Sequence, residues 1–278
     1  MNDNIHVTKR NGDIAAFDPR KLKRALQSAG ADNNQQKEVL EKLKPNLYDG
    51  IPTQKIYRLA FNLLKHESHK VAGRYKLKSA IMELGPTGFP FERFVGRIFE
   101  ALGYEVQTGV TVQGKCVSHE VDVIARKPNE MLMIECKFHS DDFTKSSVQV
   151  PLYIHSRFLD VKATWEEQYG KDIRYRGGVV TNTRFSDDAA SYGNCAGMLM
   201  VSWDTPQGHS LKDRIDRSGL HPLTSLISLT KAQKQQLLEH ELVLCSELAS
   251  HRHLLEQMHI SERQINKILR EAASLIKS

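Results

Sequence analysis

The chain has 278 residues, which suits two domains, or one domain and a small appendage, and its 40 % hydrophobic and 26 % charged residues are ordinary for a soluble globular protein with packed cores. Its formal net charge of +6 favours a polyanionic partner, because Lys and Arg displace the counterions condensed on nucleic-acid phosphates, while a slightly basic solvated surface is an equal alternative. The four cysteines form no Cys-x-x-Cys pair and no apolar stretch approaches membrane-spanning length. These facts argue against a structural zinc site, a disulfide framework and a membrane protein, so we expect a cytoplasmic protein with reduced thiols.

Residues 3–85 predict an α-rich module that begins with a β-hairpin. Alternating apolar residues flank Asn11-Gly12, the preferred pair for a two-residue hairpin turn. Asp18 followed by Pro19 predicts the start of a helix, and Thr53 predicts the cap of a later one. Apolar residues at helical spacing indicate about four helices in this module.

The run GPTGFP at 85–90 marks a domain boundary, because it combines four turn-forming residues in six positions. The segment that follows, 88–205, has the pattern of an α/β domain. Apolar periodicity predicts helices near 91–102, 150–160 and 187–192, and strands near 105–112, 118–125, 131–138, 178–181 and 198–203.

The last segment, 220–278, is helical by pattern. Leucine and isoleucine recur at helical spacing among polar residues, and Thr230 and Ser261 are candidate helix caps.

Acidic residues and a lysine interrupt two neighbouring apolar strands of the α/β segment. Asp122 lies between Val121 and Val123, so strand alternation predicts that it projects away from both valines. On the next strand Glu135 and Lys137 share a face, and a hairpin between the strands brings Asp122 close to them. Such groups are costly to bury unless they are paired or bind an ion, although an ordinary Glu–Lys pair on a solvated edge strand is the simpler alternative. Phosphodiester hydrolysis needs a metal that activates water, and Mg²⁺ prefers carboxylate and carbonyl oxygens.

Four short runs follow one another in this segment: FERF at 91–94, LGYEV at 102–106, EVDVI at 120–124 and IECK at 134–137. The first two belong to a predicted helix and the chain that follows it, the third to the Asp strand and the fourth to the Glu-x-Lys strand. Over residues 88–205 this order resembles the PD-(D/E)xK nucleases, and most of all the Mrr-type restriction endonucleases. The resemblance implies a restriction-endonuclease-like α/β core, a central mixed sheet flanked by helices. It also implies that Asp122 and Glu135 ligate Mg²⁺ or Mn²⁺, joined by the Cys136 carbonyl, and that Lys137 positions or deprotonates the attacking water.

Two further residues match elements of this family. Glu92 stands where these enzymes place an extra acidic residue, with a solvated first-turn Glu as the alternative. Gln149 and Tyr153 match a Gln-x-x-x-Tyr element, and their i, i+4 spacing places both on one side of a helix.

Several basic residues are candidates for phosphate contacts, each with a solvated side chain as the commoner alternative: His119, His139, Arg157, Arg174 and Arg176.

The N-terminal module contains VTKRNG at 7–12, Lys21, and YDGIPT at 48–53. These runs resemble the ATP-cone domain of ribonucleotide reductases and NrdR-type repressors. The resemblance implies that Lys9, Arg10 and Lys21 hold the phosphates of ATP or dATP, with Thr53 nearby. An exposed basic hairpin is the alternative, and Ala15, where relatives often carry an acid, leaves the nucleotide preference open.

The segment 220–278 faintly resembles helix-hairpin-helix modules that grip DNA phosphates, with packing or oligomerisation as the alternative. Together these features predict an N-terminal ATP-cone, a nuclease core and a helical C-terminal tail in a Mg²⁺-dependent DNA endonuclease tuned by an adenine nucleotide, for restriction or DNA processing. Two alternatives stay open: a nucleotide-responsive DNA-binding regulator with an inactive nuclease fold, and a nuclease of repair or junction processing. The pattern also leaves open DNA or RNA as substrate, and a homodimer or a larger oligomer.

Overall fold

The structure is a computed structural model that describes residues 5–9 and 11–276. Its N-terminal part packs helices against a small sheet in which β1 pairs antiparallel with β2 and parallel with β3. The strands are β1 His6–Thr8, β2 Ile14–Ala16 and β3 Ile51–Pro52. The helices are α1 Pro19–Ser28, α2 Asn33–Leu43, α3 Thr53–Glu67, α4 His69–Tyr75 and α5 Leu77–Met82.

The turn and the caps of this part agree only partly with the sequence predictions. The predicted two-residue turn at Asn11-Gly12 is wrong, because strand pairing ends at Thr8–Ile14 and the Lys9 N–H bonds the Asp13 carbonyl at 2.7 Å, so the connection runs from 9 to 13. Asp18 does cap α1, with Pro19 in the first turn. Thr53 begins α3 as its first helical residue and is not its cap, since Pro52 holds that position without a side-chain bond.

The middle part is a five-stranded mixed sheet in the order β10-β8-β6-β5-β4, flanked by helices. Its strands are β4 Glu105–Gln113, β5 Ser118–Lys127, β6 Glu130–Lys137, β8 Arg174–Thr181 and β10 Leu199–Val201, and a separate pair is β7 Lys145–Ser146 with β9 Arg184–Phe185. Its helices are α6 Phe89–Ala101, α7 Gln149–Tyr169, α8 Asp187–Cys195 and α9 Leu211–Ser218. The first three sheet strands form an antiparallel meander, and helical crossovers make β6, β8 and β10 parallel. The predicted mixed sheet flanked by helices is confirmed.

Both faces of this sheet are covered by helices. On one face Val123, Ala125, Leu132 and Ile134 pack with Phe91 and Phe94 of α6. On the other face Ile124, Met131 and Met133 pack with Phe158, Val161 and Trp165 of α7. Phe91 and Phe94 are fully buried, and burial of each such side chain contributes roughly 1.5–3 kcal/mol.

The C-terminal part comprises α10 Lys231–Glu239, α11 Arg252–Gln257 and α12 Glu262–Ile276. Thr230 caps α10 as predicted, in a reciprocal capping box with Gln233. This part packs on the N-terminal part, where the Thr224 hydroxyl donates to the Ala80 carbonyl at 2.6 Å and Lys234 pairs with Glu83 at 3.0 Å. Within the described ranges, no helix has both the length and the apolar character needed to cross a bilayer.

Candidate active site

Strands β5 and β6 separate at the position of the predicted acidic residues. Their backbone pairing begins at Lys127–Glu130 and ends at Val123–Ile134. One residue further along, the Asp122 carboxylate accepts the N–H of Cys136 at 2.7 Å. The structure therefore brings Asp122 beside the Glu135-x-Lys137 segment, as strand order predicts.

The strand alternation around Asp122 is broken. Val121 packs with the α7 face of the sheet and Val123 with the α6 face, so the prediction that both valines point away from Asp122 is wrong. The change of face coincides with the loss of pairing to β6. It also lies opposite Gly109 of β4, whose positive φ of 60° is a backbone conformation that glycine adopts readily. The irregularity of β5 therefore lies at Asp122, whose carboxylate bonds the Cys136 amide.

Glu92 lies in the first turn of α6 and is half-buried, unlike the solvated first-turn Glu that was the alternative. Its carboxylate folds over Gly88, where an added Cβ would lie 2.8 Å from Oε1. Burial, and then the charges of Asp122 and Glu135, raise the pKa of Glu92 to about 7. Burial likewise raises the pKa values of Asp122 and Glu135. Burial is the main cause of all three shifts, and carboxyls with perturbed pKa values that cluster at one place are typical of a functional site.

Arg157 of α7 is part of the site, although its sequence position suggested only a DNA backbone contact. Its guanidinium pairs with Glu135 at 3.1 Å and donates to the carbonyl of Glu120. It also lies over the ring of Tyr153, 5.3 Å from the ring centre. Only 13 % of the Arg157 side chain and 23 % of the Glu135 side chain are exposed. The helical spacing of Gln149, Tyr153 and Arg157 was the available signal, since residues four apart share a face.

Lys137 and Gln149 complete the placement of the predicted site residues. Lys137 is exposed at the end of β6, and its carbonyl accepts a hydrogen bond from the Thr181 hydroxyl at 2.8 Å. Its positive charge offsets part of the rise that burial causes in the pKa values of Asp122 and Glu135. Gln149 is the exposed first residue of α7, on the helix side that carries Arg157.

The other basic candidates are engaged with protein groups. His119 bonds Asp160 at 2.8 Å, and this hydrogen bond lowers the pKa of Asp160 to about 2. His139 bonds the Ser146 hydroxyl at 2.9 Å, and Arg176 bonds the Gly197 carbonyl at 3.3 Å.

A cleft of about 400 Å³ lies next to Glu92. Thr108 and Gly109 of β4 line one side, and Gln235 and Leu238 of α10 line another. The C-terminal part therefore forms a wall of the cleft that Glu92 lines.

The donor set suits a hard divalent cation. Asp122 and Glu135 supply carboxylate oxygens, and Cys136 supplies only its carbonyl, because burial raises the pKa of its thiol well above the ordinary value. Among residues 5–9 and 11–276, no three His, Cys, Asp or Glu side chains are grouped so that they could hold a metal by themselves. Mg²⁺ commonly takes one or two protein carboxylates and keeps several waters, so two carboxylates and a carbonyl fit it.

The nucleotide-site candidates of the N-terminal part are partly assembled. Because Thr8 pairs with Pro52, the register places Lys9 beside Thr53 at one end of the sheet. Lys9 also lies 3.6 Å from Asp13. Lys21 is exposed on α1, and Arg10 lies outside the described residues.

Three family models match the chain: the ATP cone domain over residues 5–81, the restriction endonuclease model (Mrr_cat) over 86–205, and the AF1548-like C-terminal domain over 221–276. An uncharacterized protein of Archaeoglobus fulgidus is 31 % identical over 183 residues, which are 66 % of this chain and 99 % of that protein. The crystal structure of AF1548, a protein of unknown function, is similar with 30 % identity and a TM-score of 0.55, covering 68 % of this chain and 98 % of that one. Can2 from Sulfobacillus thermosulfidooxidans, solved with cyclic tetra-adenylate, has 13 % identity and a TM-score of 0.33, covering 74 % of this chain and 64 % of that one.

Proposed function

The chain belongs to the family of AF1548-like proteins, and we propose that it is a Mg²⁺- or Mn²⁺-dependent DNA endonuclease whose activity responds to ATP or dATP bound at its ATP-cone domain. The observation that carries the proposal is the hydrogen bond that the Cys136 amide donates to the Asp122 carboxylate where β5 and β6 separate. It holds one carboxylate beside Glu135 and Lys137, at a place where buried carboxyls with raised pKa values cluster.

Each residue of the site has a distinct chemical role. Asp122, Glu135 and the Cys136 carbonyl would hold the divalent ion, which supplies a Lewis acid that lowers the pKa of water and balances charge on the phosphate. The Lys137 ammonium orients the attacking water and stabilises negative charge on the phosphate oxygens. Without a metal the pKa of Glu92 is about 7, and once deprotonated its carboxylate can accept a proton from the reaction.

The C-terminal part supports DNA as the partner through one face of α12, and not through the loop before α10. The amides of Ile227 and Ser228, in the loop before α10, donate to the buried Glu271 carboxylate at 2.6 and 2.9 Å, so a phosphate cannot take them. On α12, by contrast, three exposed cations share one face, spaced four and three residues apart: Arg263, Lys267 and Arg270. We assign this α12 face to the DNA backbone, which binds cations whatever its sequence.

The test incubates the full chain with plasmid, linear and single-stranded DNA and with RNA, in EDTA, Mg²⁺ or Mn²⁺, with and without ATP or dATP. Asp122→Asn and Lys137→Met should abolish metal-dependent cleavage, while Asp172→Asn, at an exposed loop position, should cleave like the wild type. Equal cleavage by all variants refutes the site. DNA binding without cleavage under every condition supports a DNA-binding regulator with an inactive nuclease fold.

A further inference from the structure

Lys137, the last residue of β6, and the two residues that follow it are each held by a separate contact. The carbonyl of Lys137 accepts from Thr181 at 2.8 Å. The Asn182 side chain then bonds both backbone groups of His139, accepting its N–H and donating to its carbonyl, each at 2.8 Å. Asn182 is 0 % exposed, and its amide continues the ladder beyond the last β6–β8 pair, Lys137–Thr181. An amide with both groups bonded in a buried place fixes the backbone two residues after the candidate lysine.

Phe138, between these two bonded residues, is held by the junction of the N-terminal and middle parts. An added Cβ at Gly85 would lie 2.3 Å from the Phe138 ring, so the ring packs directly on the backbone there. The ring of Phe91 is 5.8 Å away on another side. A movement of Gly85 towards the ring would therefore displace Phe138, because packed interiors have little free space.

The same Asn182 is bonded by helix α5 of the ATP-cone domain. The Lys78 ammonium donates to the Asn182 carbonyl at 2.6 Å and lies 4.7 Å from the centre of the Trp203 ring. Met82, one helical turn later on α5, places its sulfur 3.1 Å from the Asn182 amide nitrogen. A partly buried ammonium without a partner costs free energy, so the Lys78 ammonium requires the Asn182 carbonyl at this position, whereas apolar packing would tolerate small shifts.

We propose that Asn182 is a positioning residue for the Glu135–Lys137 strand end. Through Lys78 and Met82, nucleotide binding to the ATP-cone domain would change the position of Asn182. The inference rests on the proposed function, because it assigns the regulation of that same site. A shift of α5 would move Lys78, the Asn182 backbone and then the two bonds to His139. The nucleotide can control the site in this way only if it binds two positions of α5 with different affinity.

The test uses the full chain as wild type, Lys78→Met, Lys78→Arg and Asn182→Ala. The matched control is Lys65→Met, which removes an exposed lysine of α3 in the same domain. Deuterium exchange of the amides at 137–140 is measured with and without ATP and dATP, with kcat and KM for cleavage in parallel and with calorimetry for nucleotide binding.

We expect nucleotide to change the exchange at 137–140 in the wild type, Lys65→Met and Lys78→Arg, but not in Lys78→Met. In Asn182→Ala the His139 amide hydrogen should exchange faster, because its hydrogen-bond acceptor is removed. The substitution should lower kcat by about 10- to 100-fold with little change in KM, because a displacement of about 1 Å at a catalytic group can cost on the order of 100-fold.

Two results overturn the coupling: an exchange at 137–140 that bound nucleotide leaves unchanged in the wild type, or a full response in Lys78→Met. Unchanged exchange and kcat in Asn182→Ala overturn the positioning role. Exchange does not require catalysis, so a wild type that cleaves no nucleic acid refutes the nuclease function alone. A wild type that binds no nucleotide refutes the sensor and the coupling together.

Discussion

Replacing Arg157 by Met should destabilise the metal-free protein and increase its stabilisation by metal. The substitution keeps an apolar stem but leaves Glu135 unpaired and the Glu120 carbonyl without its donor. Hydrogen bonds to charged groups contribute about 1.5–3 kcal/mol, and the pair is largely but not fully buried, so we expect a loss of roughly 1–3 kcal/mol. At about 2–4 °C per kcal/mol, the Tm in EDTA falls by roughly 2–12 °C.

Mg²⁺ or Mn²⁺ should restore part of this loss, because a bound cation replaces the missing positive charge beside Glu135. The assay is thermal unfolding in EDTA and over a series of metal concentrations. The control is Arg174→Met, whose side chain is 68 % exposed and 3.9 Å from Glu130, and for which the expected change is below about 1 kcal/mol. A metal-induced rise in Tm that is smaller in Arg157→Met than in the wild type would refute the idea that Arg157 and the metal compensate the same carboxylate.

Three further predictions concern other parts of the molecule. Burial lowers the pKa of His221 to about 4, so its folded pKa lies below the unfolded 6.5 and stability is lost as pH falls between these values. We expect His221 to contribute a loss of about 2 kcal/mol from pH 7 to 5, measured by urea unfolding as the difference between the wild type and His221→Gln, because the raised pKa of Glu92 acts in the opposite direction in both proteins. Gly88→Ala should displace the Glu92 carboxylate and lower kcat by about 10- to 100-fold with an unchanged circular dichroism spectrum, and an unchanged kcat contradicts the role of Glu92. Lys9→Ala should weaken ATP binding by about tenfold or more in calorimetry, whereas equal affinities remove Lys9 from the nucleotide site.

The order of the chemical groups could be predicted from sequence because it is local. A hairpin between two apolar strands brings Asp122 close to Glu135 without knowledge of anything outside residues 120–137. The helix cap at Asp18 is equally local. Sequence alternation fails where strand pairing ends: the pairing to β6 stops at Val123, next to Asp122, and Val121 and Val123 lie on opposite faces of the sheet.

The groups that support the site depend on contacts between distant parts of the chain. Arg157 meets a carboxylate 22 residues away, and Lys78 meets Asn182 across 104 residues. A single arginine or asparagine carries no sign of its partner, because most such side chains are solvated. Only the packing of α7 and α5 against the sheet identifies them.

The charge balance of the site assigns different roles to Lys137 and Arg157. Asp122 and Glu135 carry two negative charges, and Lys137 and Arg157 carry two positive ones, so within this set Glu92 determines the net charge. Its pKa of about 7 means that the set passes from near neutral to negative as pH rises through 7. A divalent cation binds the deprotonated form better, so its binding near neutral pH should release a proton from Glu92. The two cations then have separate roles, because Arg157 stabilises the acids before the metal binds, whereas Lys137, exposed at the strand end, stays available for the phosphate.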